Sequence, residues 1–218
     1  GEVPGIEWNR WYEERLLSLI EKIEGDATQF ADETRVLESI LNPITAESKI
    51  TQHVPNFVGR EWIFDAYREW VDLQPDSRLF WIKAGPGVGK SAIAANLIHR
   101  ERSAIVAGWF CDAKSGERKD PNRAIRSIAF QLALRWEDYR VRLLRKLQVF
   151  ANTSEELCED ARKELEKKNT HDLFTHLLAD PMTGLIWRDH KLVVVIDALD
   201  EAVDDEGNNR ITELISNE

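Results

Sequence analysis

The first forty residues carry apolar side chains at the three- and four-residue intervals of an amphipathic helix. One such stripe lies within residues 6–24 and a second within residues 30–41. The second is predicted to stop before Asn42-Pro43, because the residue that precedes a proline avoids the helical backbone region. The polar residues 42–56 are predicted to form a linker. These two helices either pack on the domain that follows or join it to an upstream effector or a partner helix, and periodicity alone leaves both open.

From residue 57 onward the pattern alternates between amphipathic helices and short apolar runs. A capping aspartate with a proline in the first turn predicts a helix that begins at Asp120-Pro121, and Thr153 has capping-box spacing to Glu156. The β-branched run "KLVVVI" is typical of a strand buried on both faces of a parallel sheet. The remaining predicted helices are 62–73, 91–102 and 154–168, and the predicted strands are 78–83, 104–111 and 191–196.

Strands that alternate with helices predict an α/β fold with a doubly wound parallel sheet. We therefore divide the chain into a helical segment with its linker, residues 1–52, and an α/β domain, residues 53–218. The chain begins at Gly1 and its one methionine is Met182, so we expect it to be a piece of a longer protein.

Composition narrows the function classes. The 218 residues are 43% hydrophobic and include eight tryptophans, which predicts a packed core. A net charge of −10 disfavours binding to nucleic acid, which needs a basic surface. The longest apolar run, residues 192–196, is too short for a membrane span. Two widely spaced cysteines match no metal or redox motif, so a reduced, cytoplasmic protein is expected.

The segment "AGPGVGKSA", residues 84–92, has the spacing of a phosphate-binding P-loop, with Ala84 in place of the first glycine. Glycines let successive backbone N–H groups turn toward phosphate oxygens at the positive end of a helix. Lys90 is expected to bind the β- and γ-phosphates, and the Ser91 hydroxyl is expected to bind Mg²⁺. The predicted nucleotide-binding residues here are Gly85, Pro86, Gly87, Val88, Gly89, Lys90, Ser91 and Ala92.

A second acidic element follows the last predicted strand, in "VVVIDALDEA". Asp197 comes directly after the apolar run, at the carboxyl edge of the sheet where nucleotides bind in open α/β folds, and is predicted to hold the metal. Asp200 and Glu201 have the spacing that returns side chains to one side of a helical turn, so either could orient the attacking water. These two acids and Lys90 are the predicted catalytic residues. Taken alone, the acidic run would be read as a solvated turn.

The combination of "AGPGVGKS", "VVVIDALDEA" and "FVGREW" resembles the STAND class of signalling P-loop ATPases, and within it the NACHT clade, over about residues 55–202. The resemblance implies ATP or ADP with Mg²⁺ as ligands and places Val58 and Arg60 near the adenine. It also implies a switch in which the ATP form self-associates, with effectors before the ATPase core and sensors after it.

Two other readings stay open. A P-loop kinase would transfer phosphate to a second substrate, and a degenerate scaffold would bind nucleotide without hydrolysing it. The resemblance further implies a later strand, following a helix that starts near Asn208. That strand would lie between those at 79–84 and 191–196, so these two are not expected to pair. We accordingly expect the natural protein to continue beyond Glu218 and this chain to be a poor ATPase.

Overall fold

The computed structural model describes residues 5–55, 57–74, 76–85, 87–185, 191–203 and 207–217. A π-helical turn, Thr175–Ala179, and a 3-10 turn, Leu199–Glu201, supplement the regular elements. In chain order those elements are α1 (Gly5–Leu41), α2 (Glu47–His53), α3 (Glu61–Leu73), α4 (Lys90–Arg100), β1 (Ile105–Phe110), α5 (Gly116–Lys119), α6 (Pro121–Arg135), α7 (Glu137–Lys146), α8 (Glu155–Glu166), α9 (Thr170–Phe174), α10 (Asp180–Met182), β2 (Val193–Asp197) and α11 (Arg210–Asn217).

The two strands pair in parallel, and Phe110 lies opposite Asp197 at their carboxyl ends. An irregularity in register between Ile105 and Ala107 marks a bulge in β1. Every residue of β1 is buried, as a strand covered by helices on both faces should be. In β2, by contrast, Val194 is exposed, so the prediction that this strand is buried on both faces is wrong. Among the described residues, β2 pairs only with β1, which leaves its other edge open.

Two hydrophobic cores lie on opposite faces of the sheet. After the bulge, Ala107, Trp109 and Cys111 pack into a core built mainly from α1, α6, α7 and α8. Phe110 and Ile105 pack into a second core with α2, α3 and α4. Helices thus cover both faces of a parallel sheet, which is the layering of α/β proteins. A two-stranded sheet is compatible with a doubly wound fold without testing it, so that fold stays a prediction.

Gly108 of β1 determines how closely α4 approaches the sheet. A methyl group added at Gly108 would lie 2.5 Å from Cδ1 of Ile98 on α4. On the edge facing away from β2, the Gly108 N–H donates to Oε1 of Gln131 (3.0 Å) and its C=O accepts from Nε2 of Gln131 (3.1 Å). The Gln131 side chain of α6 therefore takes the place of a neighbouring strand at this position.

Helix α1 is one continuous element, so the prediction of two separate helices is wrong. Gly25 lies inside it, since a glycine costs only about 1 kcal/mol in a helix and does not by itself end one. The carboxyl-terminal part of α1 is fixed by a buried ion pair in which Arg140 Nε of α7 donates to Glu33 Oε2 at 2.8 Å. Residues 16–23 instead expose their leucines and isoleucines.

The predicted linker is also wrong over part of its length, because α2 lies inside it and buries Ile50 in the second core. The predicted strand at 78–83 has strand-like alternation, with Phe80 and Ile82 half-buried and Trp81 exposed, but pairs with no described strand. It therefore has no regular secondary structure in the described part of the chain, and as expected it does not pair with β2. The cap of α8 is Ser154, which accepts from the Leu157 N–H, rather than Thr153.

The other predicted helices are confirmed to within a few residues. Asp120 caps α6 by accepting from the Asn122 N–H at 2.9 Å, with Pro121 in the first turn. The helix expected near Asn208 is α11, which begins at Arg210.

Candidate functional site

The glycine-rich loop forms a tight turn between residues 78–83 and α4. Gly87 has φ +76° and Gly89 has φ +84°, in the left-handed region where residues with a Cβ are strained. Gly89 caps α4, which begins at Lys90. Gly85 and Val88 are exposed, and Ala92 is half-buried in the first turn of the helix. Pro86, also predicted to bind nucleotide, lies outside the described residues. Two left-handed glycines directly before a helix N-terminus are compatible with an anion-binding loop, which stays a prediction.

Lys90 folds back over this loop. Its ammonium donates to the carbonyl oxygens of Ala84 (3.0 Å) and Gly85 (3.2 Å). Both acceptors are neutral carbonyls, whereas a phosphate oxygen carries negative charge that attracts the ammonium more strongly. Lys90 is therefore positioned on the loop and would gain energy by turning to an anion bound there.

Arg60 lies next to the same loop. It follows Gly59, and both have positive φ, of 63° and 79° respectively. A methyl group at Gly89 would lie 3.1 Å from Nη1 of Arg60, so the guanidinium covers the last glycine of the loop. Val58 is 90% exposed. The structure thus brings Arg60, but not Val58, to the glycine-rich loop, and the predicted role of both at an adenine stays a prediction.

A cavity of about 290 Å³ opens beside the loop, at the carboxyl ends of the two strands. It brings together three of the predicted residues, Ser91 from α4, Asp197 from β2 and Glu201 from the 3-10 turn. Parallel strands end at this edge of a sheet, which is where α/β folds bind ligands. Its other lining side chains include Lys49 and His53 from α2 and Asp112 and Lys114 from the loop after β1.

Asp197 is the most confined acid of the cavity. It is 7% exposed, and no described residue donates a hydrogen bond to its carboxylate or forms an ion pair with it. Its oxygens open on the cavity, since neither is among the fully buried side-chain atoms that lack a partner, and a carboxylate that faces a cavity can bind a cation there. The next residue, Ala198, has φ +52°, a strained conformation for a residue with a Cβ, and turns the chain sharply after the strand.

The donor set suits Mg²⁺ held largely by a ligand. No group of three or more His, Cys, Asp or Glu within the described ranges could hold a metal unaided. Mg²⁺ characteristically takes one or two protein oxygens and completes its octahedron with water and substrate phosphates. Ser91 and Asp197 offer a hydroxyl and a carboxylate to one cavity, which fits that mode of binding.

The two downstream acids are placed differently. The Glu201 carboxylate lines the cavity and accepts from the Ala113 N–H at 3.0 Å, which ties the 3-10 turn to the loop after β1. Asp200 is exposed and does not line the cavity. The left-handed Ala198 and the tighter 3-10 turn explain the difference, because the side-chain directions differ from those of an α-helix. The structure thus places Glu201, not Asp200, beside Ser91 and Asp197.

Cys111 also lines this cavity, and its chemistry is suppressed. Burial, reinforced by the negative charge of Asp197, raises the pKa of the Cys111 thiol to about 12. The thiol therefore stays protonated at neutral pH and is a poor nucleophile. Both described cysteines, Cys111 and Cys158, are free and buried.

Lys49 and His53 are two of the cavity residues that sequence reasoning missed, because they lie in the segment predicted to be a linker. A signal was present, since positions 49 and 53 are four residues apart and share one face once the segment is helical. Ile50, between them, faces the second core instead. Three residues at helical spacing within a polar stretch are too short a pattern to predict a helix.

Comparisons with known proteins identify the family of this chain. No helix in the described part of the chain has the length and apolarity to cross a membrane. No curated protein and no solved structure matches the chain. One family model, described as "Nephrocystin 3, N-terminal", matches residues 59–218, which takes in Arg60, the glycine-rich loop, Asp197 and Glu201. Because that match extends over well more than half of the sequence, the chain belongs to the nephrocystin 3 N-terminal family.

Proposed function

We propose that this chain is an ATP-binding, slowly hydrolysing switch domain of the STAND class and NACHT clade, with Mg²⁺ as its metal. The observation that carries the proposal is that the Asp197 carboxylate, which has no donor among the described residues, shares a cavity with the Ser91 hydroxyl. A magnesium ion bound to a polyphosphate would supply the positive charge that balances the Asp197 carboxylate. The glycine-rich loop adjoining Ser91 supplies the backbone conformation for the phosphates.

The phosphate groups would be held by the loop, by Lys90 and by Arg60. Lys90 exchanges the carbonyls of Ala84 and Gly85 for charged oxygens, which is the more favourable pairing. Arg60 already lies against Gly89 and adds a second cation at the same loop. Together these groups favour a triphosphate over an uncharged ligand.

Slow turnover follows from the position of Glu201. Its carboxylate lines the cavity that would hold the metal, but the Ala113 N–H already occupies one of its oxygens. To orient an attacking water, Glu201 must use its other oxygen or release the loop after β1. A site in which the candidate base is committed elsewhere suits a switch, which needs a long-lived ATP state.

The rest of the proposal concerns the whole protein. Nucleotide state would control conformation and self-association, and α1 would join the domain to an effector or partner. Two free, buried cysteines suit a reducing, cytoplasmic location. A kinase or a non-hydrolysing scaffold is the alternative. Thin-layer chromatography of products from labelled ATP distinguishes the three, because only a kinase labels a second compound and a scaffold releases no phosphate.

The decisive experiment is nucleotide binding by Lys90→Ala. Loss of one charge-assisted contact of about 1.5–3 kcal/mol lowers affinity roughly ten- to a hundredfold. We expect that loss for a fluorescent ATP analogue, measured by anisotropy with Mg²⁺, and ATP is expected to displace the analogue better than GTP. Lys83→Ala, at an exposed lysine just before the loop, is the matched control and should bind like the parent. Equal binding by the Lys90 variant and the parent would refute the site.

A further inference from the structure

We infer that Lys49 of α2 binds the terminal phosphate of the nucleotide, so that α2 responds to whether ATP or ADP occupies the site. The inference rests on the proposed function and assigns a residue and a regulatory connection that the function itself does not include. Lys49 also lies before the part of the chain that the family model matches, which begins at residue 59.

The position of Lys49 suits contact with the far end of a bound polyphosphate. Its side chain lines the same cavity as Ser91 and Asp197, and is therefore on the metal side of the site rather than over the glycine-rich loop. Lys90 and Arg60 lie at the loop itself. The cation on α2 is thus placed where the far end of a polyphosphate would lie if its metal sits between Ser91 and Asp197.

The ion pair that Lys49 forms in this structure is weak. The Lys49 Nζ atom is 3.7 Å from Oδ2 of Asp112, and both side chains are 30% exposed. An ion pair that long and that solvated contributes little to stability, so exchanging it costs little. Asp112 keeps a partner after the exchange, because its Oδ1 accepts from the Lys114 N–H at 3.0 Å.

Three acidic side chains line the cavity. Asp112, Asp197 and Glu201 all line it, and a triphosphate brings further negative charge. One Mg²⁺ offsets part of that charge, and the two lysines of the cavity, Lys49 and Lys114, offset more of it. ADP lacks the terminal phosphate, so the contribution of Lys49 should be larger for ATP.

The attachment of α2 makes this contact consequential. Ala46 and Ile50 hold α2 in the second core beside α4, the helix that starts at the phosphate loop. The short connection from α1 is fixed to α6 by a hydrogen bond from the Ile44 N–H to Oγ of Ser127, at 2.9 Å. A change in the hold on Lys49 therefore acts on the connection between α1 and the nucleotide site.

The test compares Lys49→Met, Lys49→Arg and the parent for ATP and ADP affinity, with hydrogen exchange of residues 47–53. We expect Lys49→Met to lose about tenfold in ATP affinity and much less in ADP affinity, and Lys49→Arg to restore most of the loss. In the parent, ATP should slow exchange in α2 more than ADP does, and Lys49→Met should abolish that difference. Lys22→Met, at an exposed lysine of α1, is the control for loss of one charge.

The outcomes separate this inference from the proposed function. If Lys49→Met binds ATP and ADP as the parent does, the inference is wrong and the nucleotide site stands. If the affinity falls equally for both nucleotides, Lys49 acts through the general field of the cavity and the terminal-phosphate contact is refuted. If the parent binds neither nucleotide, the proposed function falls and this inference falls with it.

Discussion

Replacing Asp197 by asparagine should have opposite effects on the protein with and without its ligand. Asparagine has nearly the same shape, so packing around β2 is conserved while the buried charge is removed. The carboxylate opens on a cavity that Asp112 and Glu201 also line, so its removal relieves repulsion between like charges, on the order of 1 kcal/mol in a solvated cavity. Asp197 is 7% exposed with no donor among the described residues, so we expect the metal-free variant to be more stable than the parent.

The magnitude is measurable by thermal unfolding in EDTA. For a domain of this size, each 1 kcal/mol shifts the midpoint by roughly 2–4 °C, so a gain of a few degrees is expected for Asp197→Asn. Saturating Mg²⁺ and ATP should reverse the order. A ligand at a hundred times its dissociation constant stabilises the parent by about 2.7 kcal/mol, and the variant should gain far less because its metal ligand is missing.

The control is Asp200→Asn, which removes a charge from an exposed neighbour in the same turn. It should leave the midpoint in EDTA close to that of the parent. Two results would refute the reasoning about Asp197. One is a variant that is less stable than the parent in EDTA, which would mean that its carboxylate has a stabilising partner. The other is an unchanged response to Mg²⁺ and ATP, which would remove Asp197 from the metal site.

Two predictions concern the rest of the fold. Glu33→Ala should destabilise by about 3–5 kcal/mol, because it leaves Arg140 buried without its carboxylate, and denaturant unfolding should show Glu33→Met with Arg140→Met losing less than that. For His176, burial and the nearby charges of Lys168 and Lys146 lower its pKa below the ordinary 6.5. The unfolded chain then binds the proton more readily, so stability should fall as pH drops below about 6.5. Unfolding midpoints of His176→Gln should fall less over that range, and an identical pH profile in the two proteins would contradict this.

The loop and the acid after the last strand could be predicted because each depends on local chemistry. Gly87 and Gly89 adopt the positive φ that only glycine takes without strain, and Asp197 ends a run of β-branched residues. The sequence around them requires those conformations regardless of what packs nearby. Ser91 and Asp197 consequently meet at one cavity, as expected from the carboxyl edge of a parallel sheet.

The elements that were mispredicted depend on distant contacts. The residues of α2 look like a linker because only Ile50 and Ala46 are apolar enough to mark a buried face, and their partners lie some fifty residues further along the chain. Residues 78–83 have the composition of a strand, yet a strand also needs a neighbour to accept its hydrogen bonds. Asp200 does not reach the cavity for a third reason. The left-handed Ala198 changes the direction of the turn and leaves the Asp200 carboxylate in solvent.

The amide of Gln131 has a consequence for how this sheet can grow. On the outer edge of β1, Gln131 occupies both polar groups of Gly108, and Arg118 donates to the Phe110 carbonyl at 3.4 Å. A further strand laid along that edge would have to displace both side chains, whereas the outer edge of β2 has no such occupant among the described residues. Addition of a strand is therefore directional, because the free edge is that of β2, the strand that ends at Asp197. A new neighbour of β2, correct or misfolded, would lie beside the strand that carries the proposed metal ligand.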